Sequence, residues 1–241
     1  MFKRDDATLS DEGLLGGSMI VYKKSITGIL FDLDGTLIDS APDLGGALNA
    51  MRIRRGLAVL PLTQLRPFAS HGARGLLWAG FGMNESHPDY VAMRDEFLEY
   101  YEQHAADTTQ LFDGVAELLD LLDQKQMVWG IITNKYQRFT SPVVQALGLD
   151  KRAHVIVCGD TTPHSKPHPE PLLYAAQQIK CAPEELVYAG DDQRDIQAAR
   201  AANYAIAIAA GYGYADALTI PDWRADACIQ SPAELTRWLA G

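Results

Sequence analysis

The chain reads as an α/β protein, a three-layer arrangement with a parallel sheet between helices and a second, helical domain inserted into it. Three observations predict this. Short apolar runs alternate with segments of helical periodicity. Carboxylates, hydroxyls and an amide gather where those runs end. About 70 residues between the first run and the next α/β unit hold no convincing buried strand, too many for a loop.

The first run, Ile26 to Leu33, closes in Asp32-Leu33-Asp34-Gly35-Thr36 and reads as a buried strand entering a tight loop. Residues 41–110 follow, with Leu44, Leu48 and Met51 marking one helix and Tyr90 to His104 another. Val115, Leu118, Leu119 and Leu122 predict the next helix, and Met127 to Ile132 the second strand. Val143, Val144 and Leu147 form a helical stripe with Gly148 placed to end it. His154 to Cys158 and Leu186 to Ala189 are further strands, then an alanine-rich helix Ile196 to Ala202 closes at Asn203. Ala205 to Ala209 is the weakest strand, because alanine is a poor strand former.

The 241 residues lie between one and two domains at about 150 residues each. With 47% apolar and 22% charged residues there is ample material for a core. No apolar run approaches the roughly 18 residues of a membrane span. A net charge of −10 argues against a surface for nucleic acid or anionic lipid. Cys158, Cys181 and Cys228 are dispersed, without a Cys-x-x-Cys, which suggests neither a disulfide frame nor a cysteine zinc site and fits a reducing cytoplasm. Residues 1–18 lack the apolar stretch of a secretory signal and end in Gly16-Gly17-Ser18. They read as a disordered leader, cloning remnant or upstream start outside the fold, with Met19 opening the folded part.

In an open α/β sheet, ligands sit beyond the carboxyl ends of the strands. Here those ends carry Asp32 and Asp34, then Thr133-Asn134, then Gly190-Asp191-Asp192-Gln193-Arg194-Asp195, while Lys166 lies in Ser165-Lys166-Pro167-His168-Pro169 ahead of a helix. On a straight strand Asp32 and Asp34 would share a face, and two carboxylates at 4 Å repel by about 4 kcal/mol at an effective dielectric near 20. Asp191 adds a third. A divalent cation makes such a cluster tolerable, and hard oxygen donors suit Mg²⁺. The plainer alternative is that Asp34-Gly35 makes a turn and Asp192 caps a helix; it accounts for either piece alone but not for every strand end together.

The runs Phe31-Asp32-Leu33-Asp34-Gly35-Thr36-Leu37, Ile132-Thr133-Asn134-Lys135, Lys166-Pro167 and Gly190-Asp191-Asp192-Gln193-Arg194-Asp195 resemble the four ordered motifs of the haloacid dehalogenase-like hydrolases. The resemblance spans about Ile26 to Leu239 and is strongest to the phosphoglycolate phosphatase branch and the closely similar N-acetylmuramic acid 6-phosphate phosphatases. It implies a Rossmann-like catalytic core of residues 19–40 and 111–241 with a substrate-selecting helical cap at 41–110. It implies a Mg²⁺-dependent phosphatase acting through an aspartyl-phosphate, with 2-phosphoglycolate the default substrate and N-acetylmuramic acid 6-phosphate the rival. By the same resemblance Asp32 is the nucleophile and Asp34 the acid–base. The resemblance further implies that Asp32, the Asp34 carbonyl and Asp191 hold the metal, that Lys166 offsets charge, that Thr133 and Asn134 bind phosphate, and that Asp195 supports the shell. The family's carbon–halogen members lack an acid at the position of Asp34, so its presence points to phosphoryl transfer. A small phosphorylated metabolite of carbohydrate metabolism is the implied partner, met in the cytoplasm by a monomer or homodimer, with no nucleic acid and no membrane.

Other features carry weaker expectations. Ser70-His71-Gly72-Ala73-Arg74-Gly75 is a small-residue cap loop able to bring Arg74 and His71 to substrate, or an ordinary turn with a solvated Arg74. Lys135 and Arg138 are placed to reach substrate, but a charge after a strand end reads more readily as a solvated surface residue. His164 and His168 are four apart, but Pro167 and Pro169 argue against helical spacing, so they read as loop histidines rather than metal ligands. Gly211-Tyr212-Gly213-Tyr214 reads as pocket rim, and Trp78, Trp129, Trp223 and Trp238 as core or edge packing. Three competing functions remain: a sugar phosphomutase of the same fold, a receiver-like signalling domain and a degenerate binding protein. The receiver leaves the cap and Asp34 unexplained. The degenerate protein should lack one of Asp32, Asp34, Lys166 or Asp191, and all four are present.

Overall fold

The computed structural model describes residues 12–21 and 25–240. Its centre is a six-stranded parallel sheet. The strands are β3 (Gly28–Phe31), β6 (Val128–Ile132), β7 (Ile156–Val157), β8 (Leu186–Gly190), β9 (Ile206–Ala210) and β10 (Ala227–Ile229), in the order β10-β9-β8-β3-β6-β7. All four residues of β3 are buried, as expected of a strand at the middle of a sheet covered on both faces. Its side chains alternate between two apolar clusters. Ile29 and Phe31 join Trp129, Ile131, Val187 and Ala189 on one face, whereas Leu30 joins Ile132 and Tyr188 on the other.

Helices cover both faces. α5 (Val115–Gln124) buries the expected stripe of Val115, Leu118, Leu119 and Leu122, and packs with α9 (Pro232–Ala240) in the first cluster. α7 (Glu170–Ile179) and α8 (Gln193–Ala201) bury Leu172, Ala175, Ile196, Ala198 and Ala199 in the second. α6 (Gln137–Ala146) ends at Leu147, with Gly148 in the left-handed conformation the sequence anticipates.

Between β3 and α5 lie α1 (Ala41–Arg54), α2 (Leu62–Leu65), α3 (Gly72–Phe81) and α4 (Tyr90–His104), with a 3₁₀ turn at Arg66–His71. Two short strands, β4 (Ile38–Asp39) and β5 (Gln110–Leu111), pair antiparallel where the chain leaves and re-enters the sheet region. Leu44, Leu48, Leu76, Leu77 and Phe97 of these helices join the same apolar cluster as β3 and α5, so the insert is seated on the sheet domain.

The expectation for residues 1–18 needs correction over its last seven positions. β1 (Glu12–Leu15) pairs antiparallel with β2 (Ser18–Val21), Leu15 is 1% exposed within the main core, and a Cβ on Gly16 would meet the Cys228 carbonyl oxygen at 2.1 Å. Gly16-Gly17 is therefore a hairpin turn against the sheet edge rather than the end of a disordered leader. Residues 1–11 lie outside the described residues. Trp78 also departs from expectation: it is 53% exposed on α3, while Trp129, Trp223 and Trp238 are buried. Among the described residues no helix is long and apolar enough to cross a membrane.

Candidate active site

The register of the sheet assembles the site. Phe31 is level with Ile131 on one side and Ala189 on the other, so β3, β6 and β8 end together. Asp32, Thr133 and Asp191 follow at neighbouring carboxyl ends, and the Asp32 N–H still donates to the Ala189 carbonyl at 2.9 Å. The chain then turns, with the N–H groups of Leu37 and Ile38 donating to the Leu33 carbonyl at 3.0 Å. This turn gives Asp32 and Asp34 different partners, although both line one cavity.

Asp32, Asp191 and Asp195 form a buried carboxylate triangle, each offering an oxygen within 4.8 Å of the others. One ammonium faces them: Lys166 Nζ lies 2.8 Å from Asp32 Oδ1 and 2.7 Å from Asp195 Oδ1, and also donates to the Ile132 carbonyl at 2.7 Å. Burial raises the Asp32 carboxyl to about 7, with Lys166 pulling down and the Asp195 and Asp34 charges pushing up. Burial, then the charges of Asp32 and Asp195, hold Asp191 well above the usual carboxylate range. Three acids against one lysine leave negative charge uncompensated.

Glycines let these acids approach the backbone. Gly35 has φ +83°, and a Cβ there would stand 2.1 Å from Asp191 Oδ2. A Cβ on Gly213 would reach 2.4 Å from the Gly35 carbonyl oxygen, and the Tyr214 N–H donates to Asp191 Oδ2 at 2.9 Å. The Gly211–Tyr214 stretch thus lies behind Asp191 rather than on the cavity rim. Asp192 caps α8, accepting from the Arg194 N–H at 2.8 Å, and Asp195 Oδ2 accepts in return from the Asp192 N–H at 3.0 Å. Both the helix cap and the acid cluster expected from this motif are present.

Asp34 sits across the cavity. Its Oδ1 accepts from Ser40 Oγ and from Lys135 Nζ, the latter at 2.8 Å, and Lys135 also donates to Tyr101 Oη at 2.6 Å. Lys135 is therefore a buried cation and not the solvated residue the sequence suggested. Burial alone would lower its pKa, but Asp34 and Tyr101 outweigh that and raise it. Thr133 lines the cavity, its Oγ1 accepting from the Lys135 N–H at 3.1 Å. Asn134 is there too, but its amide brackets the Lys166 backbone, donating to the carbonyl at 2.8 Å and accepting from the N–H at 2.9 Å. It positions Lys166, and only part of its donor capacity remains for a phosphate.

The cavity above these groups measures about 600 Å³. From the insert it takes Ser70, His71, Arg94, Phe97 and Tyr101, and from the sheet domain Tyr136, Arg138, Phe139 and Arg194. Arg74, the expected cap cation, is exposed on α3 and is not among the lining residues. Arg194 holds the insert instead: it donates to the Ser70 carbonyl at 2.9 Å while gripping Asp192 at 2.8 Å. Its position within the Gly190–Asp195 run was the available signal. Ser40, Tyr101 and Tyr188 had none, because their partners Tyr214, Lys135 and Lys166 come from distant parts of the chain, and Arg94 is marked only by lining the cavity.

The family model described as haloacid dehalogenase-like hydrolase matches residues 29–209. The chain belongs to that family. It is 40% identical over 211 residues to an N-acetylmuramic acid 6-phosphate phosphatase of Pseudomonas aeruginosa, covering 87% of this chain and 93% of that one. It is 44% identical over 211 residues to a phosphoglycolate phosphatase of Xanthomonas campestris pv. campestris, covering 86% and 93%. Among solved structures it is similar to one described as a predicted phosphoglycolate phosphatase from Haemophilus somnus, with TM-score 0.77, 25% identity and coverage of 88% and 97%. The expected fold and family are borne out, and the chain is a phosphatase of this hydrolase family.

Proposed function

We propose that this phosphatase hydrolyses a phosphomonoester that also carries a carboxylate, with an acid sugar phosphate of the N-acetylmuramic acid 6-phosphate kind preferred over 2-phosphoglycolate. Both substrates named for the relatives share a phosphate and a carboxylate. The cavity supports the larger of them. About 600 Å³ over Asp32 is far more than a two-carbon acid fills and lies within the usual range for ligand sites of about 300–1,000 Å³. Its apolar wall of Phe97, Tyr101 and Phe139 suits a sugar face, and Arg94 and Arg138 line it beyond the buried ion pairs. A tight site closed by Arg74 would have favoured phosphoglycolate, the default drawn from sequence; Arg74 stands outside the cavity.

In this reading Asp32 attacks phosphorus, a recognised use of a carboxylate. Lys166 holds Oδ1 of Asp32, leaving Oδ2 to form the bond. Asp34, anchored through Oδ1 by Ser40 and Lys135, presents its other oxygen to protonate the leaving alkoxide and then to take the proton from water. The carboxylate triangle fits a divalent cation by the chemistry of its donors, since Asp32 and Asp191 are buried with oxygens that Lys166 alone does not neutralise. Asp32, Asp191 and the Asp34 carbonyl would hold Mg²⁺, which supplies charge neutralisation on the phosphoryl oxygens. Asp195 has both oxygens engaged and serves to fix Lys166 and the start of α8.

Comparing kcat/KM across a panel of phosphomonoesters with Mg²⁺ tests the substrate. N-Acetylmuramic acid 6-phosphate is expected to exceed 2-phosphoglycolate by about tenfold or more, the scale of modest pocket discrimination. The reverse order would overturn the sugar assignment, and isomerised product without released phosphate would replace hydrolysis by a mutase.

A further inference from the structure

We propose a second metal site, for a borderline divalent transition ion such as zinc, cobalt or nickel, on the loop that carries Lys166. His164, His168 and Glu170 each offer a ligand atom within 4.8 Å of the other two. The two imidazoles touch, with ring centroids 4.3 Å apart, although neither belongs to a helix. The prolines that made the sequence spacing look unfavourable produce this approach: Pro163, Pro167 and Pro169 stiffen the segment, and Thr162 Oγ1 ties it by donating to the His164 carbonyl at 2.7 Å.

Two features of the cluster point to a ligand. Glu170 Oε2 is shielded from solvent and accepts no hydrogen bond from the described residues, its nearest ion-pairing atom being His168 Nδ1 at 3.9 Å. Two imidazoles and one carboxylate match the donor set of three-ligand zinc sites that keep an open position. This chemistry differs from the all-oxygen cluster around Asp32, which suits a hard ion. The site lies in an open groove between the loop and α7, away from the Asp32 cavity, yet Lys166 stands two residues from each histidine.

Cobalt(II) titration of the full chain in excess Mg²⁺, followed by visible absorption, tests the proposal. A band of the intensity given by nitrogen-ligated cobalt of low coordination number is expected, together with a rise in Tm on Zn²⁺ addition. His164→Ala and His168→Ala should each weaken cobalt binding by more than about tenfold, since even residues behind metal ligands typically contribute 10–100-fold. Asp191→Asn should leave the band unchanged. Both histidines are exposed, so their replacement leaves the fold intact. No band, or a band that survives the histidine variants, would overturn the site; loss confined to Asp191→Asn would assign the cobalt to the Asp32 cluster instead.

Discussion

Gly35 shows how much of the site depends on one missing methyl group. With φ +83° and a would-be Cβ 2.1 Å from Asp191 Oδ2, Gly35→Ala must either displace the acid or distort the turn. The left-handed backbone alone costs about 1–2 kcal/mol for an alanine, so urea unfolding should show at least that loss, with phosphatase activity falling alongside. Lys166→Met should be more damaging, because it leaves Asp32 and Asp195 buried without their counter-charge; breaking such a pair typically costs about 3–5 kcal/mol. Asp34→Asn keeps the shape and should lower kcat by about 10²–10⁴, the usual contribution of a general acid–base group. Asp32, Asp34, Asp191 and Lys166 were legible in the sequence because strand ends bring their residue types to one crevice. Lys135 was not: a lone lysine after a strand reads as surface, and its acceptor Tyr101 is supplied by a helix 34 residues earlier.

At the scale of elements, α4 is joined to the end of β6 through Tyr101 and Lys135, and the 3₁₀ turn at Arg66–His71 is joined to α8 through Arg194 and Ser70. A longer contact, Ser70 Oγ donating to Asp191 Oδ2 at 3.4 Å, and an exposed Arg138–Glu102 pair at 3.9 Å add to these ties. Tyr101→Phe removes the acceptor from a buried ammonium while keeping the ring against Phe97 and Phe139. Loss of such a bond is worth about 1–3 kcal/mol, and a thermal melt should report it; an unchanged Tm would mean that the tie carries no load. The five strands expected from apolar runs all occur, as do the helices with clear stripes, since burial on both faces leaves an uninterrupted apolar signature. β10 escaped notice because Ala227, Cys228 and Ile229 are too few to stand out. β4 and β5 have two residues each, and their pairing is a property of where the insert leaves and returns. The β1–β2 hairpin was obscured by Gly16-Gly17, which reads as the end of a disordered leader but makes the turn.

Across the whole molecule, the acid cluster couples stability to pH. Asp32 titrates near 7 in the folded chain and Asp191 well above its ordinary value, so the folded state holds more protons than the unfolded chain above the ordinary carboxyl pKa. Stability from these groups is therefore full below about pH 4 and is lost as pH rises through about 7. Asp192 acts oppositely: hydrogen bonds from Arg194 overcome its burial and lower its pKa, so its contribution is lost on acidification. The difference in Tm between wild type and Asp191→Asn isolates the cluster. In metal-free buffer the wild type should weaken relative to the variant between pH 5 and 8, and Mg²⁺ should restore it. The same cation should be required for turnover, with chelation silencing the enzyme and added Mg²⁺ reviving it. The proposed turnover depends on Asp32 carrying the phosphoryl group, which acid quenching during turnover followed by borohydride reduction and peptide mapping reads directly. A reduced residue is expected at position 32 and should be absent from Asp32→Asn, which should be folded but inactive; steady turnover with position 32 unmodified, or retained activity in Asp32→Asn, would rule out Asp32 as the nucleophile.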